Sequence, residues 1–230
     1  MLDLSILIPA YREATTIERA VRLTLKTVER LGITAEVIVV DDGSTDETAA
    51  IVRSLSTELP AVRLVQHVEN QGKGAAIASG ARVAQGAAIL FLDADLATPP
   101  DCLETAWKAL QDADVVIGSR RHPKTVILDP QPWSRLLAGR AFLLITKLLV
   151  GLPYSDTQCG FKLFGERARS LLPEIRAKGW AFDVEVLKRA HERGLRVVEI
   201  PVIWQHGRVS RVRWRQGFGI VRELWEMRRR

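Results

Sequence analysis

Short apolar runs alternate with amphipathic stretches through the first half of the chain. Leu4-Ser5-Ile6-Leu7-Ile8 is an apolar run that ends at Pro9 and predicts a buried strand. Ile17, Ala20, Val21, Leu25, Val28 and Leu31 then follow helical spacing, and Gly32 closes the pattern. Residues 36–40 predict a second strand, after which Ser44 or Thr45 is placed to cap a helix carried by Ala49, Val52 and Leu55. Residues 62–66 predict a third strand, 75–85 an Ala-rich helix, and 89–92 a fourth strand. Strand, loop and helix repeat at roughly 30 residues per unit, the cadence of βαβ crossovers. The pattern predicts an α/β fold with a mostly parallel central sheet.

Residues 101–112 predict another helix, and 114–119 a strand that delivers Arg120 and Arg121 to its end. The alternation then fails. Residues 122–132 hold three prolines and read as a loop. Residues 133–152 predict a long amphipathic helix with two readings, a core-facing helix or one lying in a membrane interface. Trp133 and Arg135 flank it as interface anchors would, which favours the second. Further on, 156–164 reads as a loop entering a strand, 165–172 as a short helix, 182–193 as a longer helix and 197–203 as a late strand. Residues 206–230 form a basic amphipathic tail: from Arg208 onwards there are eight Arg against two Glu, interleaved with Trp214, Phe218, Leu224 and Trp225. Such a segment suits a membrane surface, with nucleic acid as the competing partner.

Composition changes this picture little. The chain has 230 residues, 47% hydrophobic and 26% charged, enough apolar material for one α/β domain. Arg140 and Lys147 interrupt the longest apolar region, so an uncharged spanning helix is not expected there. Met1-Leu2-Asp3 leads straight into the first strand with no secretory pattern, and Cys102 and Cys159 show no metal or redox spacing. Both points suggest a reduced, cytoplasmic setting. The net charge of +6 favours anionic partners without choosing among them.

The candidate chemistry lies in the loops after the strands, where open α/β sheets hold their ligands. Asp93 and Asp95 flank Ala94 at the end of the fourth strand. Two apart on an extended segment, their carboxylates point the same way and suit one hard divalent cation. Two solvated acids at a strand end are the plainer alternative. Pro9-Ala10-Tyr11 can lay a ring beside a base while Glu13 accepts hydrogen bonds. Asp42 can accept from a base N–H with Val40 packed beneath, and Gly72-Lys73-Gly74 allows close backbone approach with a cation from Lys73. Taken singly, each loop is equally explained as a βα turn using Gly, Asp and Ser for geometry. Gly72-Lys73-Gly74 lacks the spacing of a phosphate-binding P-loop, and Ala75 stands where Ser or Thr would bind magnesium. No GxGxxG follows the first strand, which weighs against a dinucleotide oxidoreductase.

PAYRE, VVDDGSTD, NQGKGAA, LDADLATPP, IGSR, DTQCGFKLF and WAFDVE occur here in the order seen in family 2 inverting glycosyltransferases, which this chain resembles over roughly residues 3–205. More narrowly it resembles the polyprenyl- or dolichyl-phosphate sugar synthases, and DTQCGFKLF with WAFDVE is most similar to the dolichyl-phosphate β-glucosyltransferase branch. The resemblance implies a glycosyltransferase A (Rossmann-like) fold over 1–205, a nucleotide-sugar donor and a lipid phosphate acceptor. It implies that Pro9, Tyr11, Glu13, Val40 and Asp42 hold the nucleoside, with Ala10 and Ala94 lining the donor site, and that Asp93 and Asp95 hold Mg²⁺ or Mn²⁺ against the diphosphate. Arg120 and Arg135 match arginines that address donor and acceptor phosphates, with Arg208 and Arg211 as weaker acceptor candidates. Asp156, Gln158, Asp183 and Glu185 are expected near the sugar, although Asp183 suits a structural role nearly as well. Mannose synthases often carry Gln after DADL, where this chain has Ala97, which turns the expectation from GDP-mannose toward UDP-glucose.

The implied activity is inverting transfer of a hexose to a polyprenyl phosphate by an enzyme peripheral to the cytoplasmic face of a membrane. Mannose or N-acetylglucosamine transfer is the alternative within the class, and a nucleic-acid-binding protein the alternative outside it. His67, His122, His191 and His206 form no ligand spacing and receive no chemistry, and Cys159 reads as a packed small residue.

Overall fold

Along the first strand, β1 (Leu4–Ala10), the side chains alternate between two sealed faces. Leu4, Ile6 and Ile8 enter one apolar cluster and Leu7 enters another, so the strand is buried on both sides as its near-continuous apolar run requires. The structure, a computed structural model, describes residues 2–129, 139, 143–144, 146–179, 181–205 and 223. Helices α1 (Ile17–Arg30), α2 (Thr48–Glu58) and α4 (Leu103–Ala109) cover the first face, while α3 (Lys73–Val83) and α5 (Phe182–Glu192) cover the second. On α1 the buried set is Ile17, Ala20, Val21, Thr24, Thr27 and Val28, one helical stripe.

The remaining main-sheet strands are β2 (Ala35–Asp41), β3 (Val62–Gln66), β4 (Ala88–Leu92), β5 (Val115–Ser119), β7 (Phe161–Phe164) and β8 (Val197–Pro201). Their order is β3-β2-β1-β4-β7-β5-β8, and every pairing is parallel except those of β7. The chain leaves β1 toward β2 on one side, while β4 lies on the other. The carboxyl ends of β1, β2 and β4 therefore frame the topological switch point at which such sheets bind ligands. A parallel two-strand ribbon, β6 (Val126–Ile127) with β9 (Ile203–Trp204), stands beside the sheet.

Several local expectations are corrected. Neither Ser44 nor Thr45 caps α2; Asp46 Oδ1 accepts from Thr48 N at 3.2 Å and from Thr48 Oγ1 at 2.5 Å, while Ser44 Oγ accepts from Arg12 N at 2.8 Å. The helix expected over 165–172 is a 3-10 turn at Arg169–Leu171, where the Arg169 guanidinium is bound to the carbonyls of Ala84 and Gly86. The loop expected over 122–132 contains β6. The reversed direction of β7 follows from its approach: the loop before it lies at the carboxyl edge, so the strand must run back into the sheet from there. The expected helix at 133–152 falls largely outside the described residues, as does the tail at 206–230, and residues 146–150 are helical. Among the described residues no helix is long and apolar enough to cross a membrane.

Candidate active site

The loops after β1 and β2 are bound to each other. Asp42 N donates to Ala10 O at 2.8 Å, and Glu13 N donates to Thr48 Oγ1 at 2.8 Å. In the sheet register Pro9 faces Val40, which is fully buried. Tyr11 is half-buried, with the Arg12 guanidinium carbon 5.1 Å from its ring centre. The Glu13 carboxylate accepts from Thr16 Oγ1 at 2.6 Å, at the start of α1.

Asp42 is buried and densely bonded. Oδ1 meets His67 Nδ1 at 2.8 Å and Gln71 N at 2.9 Å, while Oδ2 accepts from Asn70 Nδ2 at 2.9 Å and Gly72 N at 2.8 Å. Those four contacts match the usual capacity of a carboxylate. The residue expected to accept from a base therefore braces the glycine loop that leads into α3. His67, given no chemistry from sequence, is part of this brace through Asp42 and through Ser79 Oγ at 3.0 Å.

Among the described residues, the only non-glycine positions with positive φ are Arg12 at 57° and Leu96 at 53°, both in loops at the carboxyl edge. Backbone in this region is costly for side-chain-bearing residues and clusters at functional sites. The turn at Leu96 follows Asp95, which is exposed and accepts from Ala97 N at 3.0 Å. Ala94 between the two acids is buried.

Asp93 Oδ1 lies 2.5 Å from Lys73 Nζ, and Asp93 N donates to Gly160 O at 3.2 Å. Its other carboxylate oxygen packs on Gly160, where an added Cβ would stand 1.8 Å from Oδ2. Behind this pair, on the same face, the wholly buried Lys162 donates to Asp183 Oδ1 at 2.5 Å and Cys159 O at 2.6 Å. Both ammonium groups lie against Phe91, with Lys73 Nζ 5.7 Å and Lys162 Nζ 4.9 Å from its ring centre. Burial pushes the Asp183 carboxyl above the ordinary range against the opposing pull of Lys162 and Lys73. Asp183, one of the residues expected near the sugar, is thus committed to a buried ion pair. Glu185 is committed as well, accepting from Ala177 N at 2.7 Å and Arg176 N at 3.1 Å and pairing with Arg189.

On the other flank, Arg120 grips Asp156 through two guanidinium bonds, with its backbone N–H a third donor at 3.0 Å. Burial raises the Asp156 carboxyl, but the hydrogen bond and charge of Arg120 outweigh it and hold the group below its ordinary value. Gln158 follows in the same loop, its N–H donating to Asp156 Oδ1 at 3.1 Å. Glu199 on β8 secures this loop by accepting from Ser155 Oγ and from the N–H groups of Ser155 and Asp156. The buried Cys159 thiol is pushed up to about 11, chiefly by burial, and is no nucleophile. Arg135, Arg208 and Arg211 lie outside the described residues.

Sequence reasoning missed Gly160 and Lys162. The second left a signal, a lone charge inside the apolar run Phe161–Phe164.

Residues 5–164 match the family described as Glycosyl transferase family 2. The chain is 37% identical over 218 residues to the dolichyl-phosphate beta-glucosyltransferase of Drosophila melanogaster, covering 88% of this chain and 67% of that protein. It is 34% identical over 236 residues to glycosyltransferase AglD of Haloferax volcanii, covering 98% of this chain and 38% of that one. The chain thus spans between 38% and 67% of the lengths of these two relatives. Among solved structures, glucosyl-3-phosphoglycerate synthase from Mycobacterium tuberculosis in complex with Mn²⁺, uridine diphosphate and phosphoglyceric acid aligns at a TM-score of 0.67, with 20% identity, over 98% of this chain and 77% of that chain. Mannosyltransferase PcManGT from Pyrobaculum calidifontis in complex with GDP-Man and Mn²⁺ aligns at 0.64, with 22% identity, over 96% and 63%. The α/β architecture with a mostly parallel sheet is the glycosyltransferase A fold of these enzymes.

Proposed function

The chain belongs to glycosyl transferase family 2, and within it we propose that it transfers glucose from UDP-glucose to a polyprenyl (dolichyl) phosphate with inversion at C1. The observation that carries this reading is the pair Asp93 and Asp95 at the carboxyl end of β4, beside the switch point, in a chain 37% identical to a dolichyl-phosphate beta-glucosyltransferase. Mannosyl transfer from GDP-mannose is the second reading, supported by the likeness in fold to a mannosyltransferase.

The donor set at the pair is two hard carboxylates, and among the described residues no group of three or more His, Cys, Asp or Glu side chains is placed to hold a metal. That fits Mg²⁺ or Mn²⁺, which complete their coordination with water and substrate phosphate. Asp93 and Asp95 would hold the ion, and when bound it neutralises charge on the departing diphosphate. Pro9, Ala10, Tyr11, Glu13 and Val40 form the nucleoside side of the crevice, and Asp42 shapes the loop that presents Lys73.

The acceptor needs no strong general base, because a phosphate monoester is already an oxyanion. Asp156 fits that scheme: its tight pairing with Arg120 suits it to orient the guanidinium rather than move a proton. Two of the five Arg120 side-chain N–H donors meet Asp156, and the outer edge of the fork suits an acceptor phosphate oxygen. Arg135, Arg208 and Arg211 complete the proposed acceptor set. Holding the phosphate in line with C1 is then the main catalytic task.

Exposed Val126, Ile127 and Ile203 on the ribbon and Leu128 just past it, with Leu144 and Leu148, support attachment to an anionic membrane surface, proposed here on its cytoplasmic face. The deciding experiment offers radiolabelled nucleotide sugars with a polyprenyl phosphate and Mg²⁺ or Mn²⁺. UDP-glucose is expected to label the lipid; labelling by GDP-mannose instead would replace the sugar assignment.

A further inference from the structure

In this structure Asp93 already holds a cation, and the cation is the protein's own. Lys73 Nζ stands 2.5 Å from Asp93 Oδ1, and only 15% of the Lys73 side chain is exposed. The ammonium is lodged between aromatic rings, 5.7 Å from the centre of Phe91 and 5.6 Å from that of Phe182. Asp93 cannot easily turn away, because its second oxygen rests on Gly160. Gly160 is not among the positive-φ glycines, so what its lack of a side chain provides is room for that carboxylate.

We propose that Lys73 is an internal counter-ion occupying the Asp93 side of the cation position until the donor arrives, so that the divalent ion binds together with the diphosphate and not ahead of it. The proposal rests on the reading of Asp93 and Asp95 as the metal ligands. A divalent ion and an ammonium on one carboxylate repel each other strongly at such separations. Asp183 and Asp95 also draw on the ammonium, yet leaving Asp93 costs it its direct ion-pair partner in a largely buried position. A diphosphate supplies one: the flexible lysine stem lets Nζ pass from Asp93 to a phosphate oxygen as the metal takes the vacated carboxylate position. Metal and diphosphate then strengthen each other's binding, reciprocally.

The test measures Mn²⁺ binding by electron paramagnetic resonance of the free ion, with and without UDP, in the wild type, Lys73→Met and Lys73→Gln. Without nucleotide, the neutral variants are expected to bind Mn²⁺ at least about tenfold more tightly, and the gain on adding UDP is expected to shrink by a similar factor. Two variants are used because either alone could be poorly folded, and circular dichroism melting identifies the folded one. Nucleotide-free binding in that variant that equals or falls below the wild type overturns the proposal. If UDP fails to strengthen Mn²⁺ binding in the wild type, the metal–nucleotide reading of the site falls, while tighter nucleotide-free binding in the variants still establishes Lys73 as the competing cation.

Discussion

Arg120 and Asp156 meet edge to edge, with Nε 2.7 Å from Oδ2 and Nη2 2.8 Å from Oδ1. The carboxylate is buried and the guanidinium is part exposed, so the pair fixes an arginine that is not sealed from solvent. Arg120→Ala leaves a buried carboxylate without its main partner. The variant should lose about 2–3 kcal/mol of stability, less than a fully buried pair would because Arg120 is partly solvated. Arg120→Lys keeps the charge but loses the fork. It should raise the acceptor KM at least about tenfold while leaving the donor KM close to wild type. Denaturant titration and steady-state kinetics check the two halves separately.

The same pair makes stability depend on acid. The Asp156 carboxyl lies below its ordinary value of 3.8 in the fold, and that of Glu36, held by Ser5, Gln85 and Arg63, lies below 4.5. A carboxyl depressed by folding contributes stability that is complete above its unfolded value and lost as pH falls through the folded one. The contribution of these two groups to thermal stability should therefore be complete above about pH 5 and fall away below about pH 4. Asp156→Asn should start from a lower melting temperature and lose less of it on acidification. A variant whose melting temperature falls in parallel with the wild type would show that Asp156 is not the group responsible.

Asp95 is exposed at the carboxyl edge, so its removal should cost the fold little. Asp95→Ala is expected to melt within about 0.5 kcal/mol of the wild type while transfer falls by at least about a thousandfold. Excess EDTA should abolish wild-type transfer, and added Mg²⁺ or Mn²⁺ should restore it. Full activity of the variant, or in EDTA, would remove the metal from the mechanism.

Gly160 offers a test of how tightly Asp93 must be held. An alanine Cβ would stand 1.8 Å from Asp93 Oδ2 and 2.3 Å from Cγ, so the carboxylate has to move. Gly160→Ala should fold, with a cost of about 1–3 kcal/mol for the overpacking, and its Mn²⁺–UDP affinity should fall more than tenfold. Isothermal calorimetry with UDP and Mn²⁺ reads this directly. Unchanged affinity would mean that the site tolerates a displaced Asp93.

Much of this was legible in the sequence because the relevant signals are local. Apolar runs ending at Pro9, Asp41 and Asp93 placed three strands and the loops that frame the crevice, since a fully buried parallel strand leaves a continuous apolar run. Lys73 and Asp93 could be named, but not their ion pair, because nineteen intervening residues fold between them and spacing carries no information about side-chain reach. The antiparallel course of β7 was hidden for a similar reason: strand direction is set by where the preceding loop lies, not by composition. Asp42 is expected at the ligand because it follows the second strand, and Glu185 because it lies in WAFDVE. The structure shows their oxygens turned to backbone N–H groups of Gln71, Gly72, Arg176 and Ala177, partners that periodicity cannot reveal.

The apolar ribbon beside Arg120 carries the last prediction. Thr125 Oγ1 donates to Ser119 O at 2.6 Å and accepts from Val202 N at 3.1 Å, which ties the ribbon to the end of β5 next to Arg120. Exposed Val126, Ile127, Leu128 and Ile203 thus stand near the arginine proposed to receive a lipid phosphate. If that phosphate enters with its chain still in a bilayer, the ribbon must meet the membrane. Ile127→Ser with Leu128→Ser removes two large apolar side chains and should lower partitioning into phosphatidylserine-containing vesicles at least about fivefold. Transfer to a short, water-soluble polyprenyl phosphate should be little changed, because neither residue belongs to the proposed site. Co-sedimentation and the soluble-acceptor assay together separate docking from chemistry. Unaltered partitioning would shift the attachment away from the ribbon, and loss of transfer to the soluble acceptor would place these residues in the acceptor site itself.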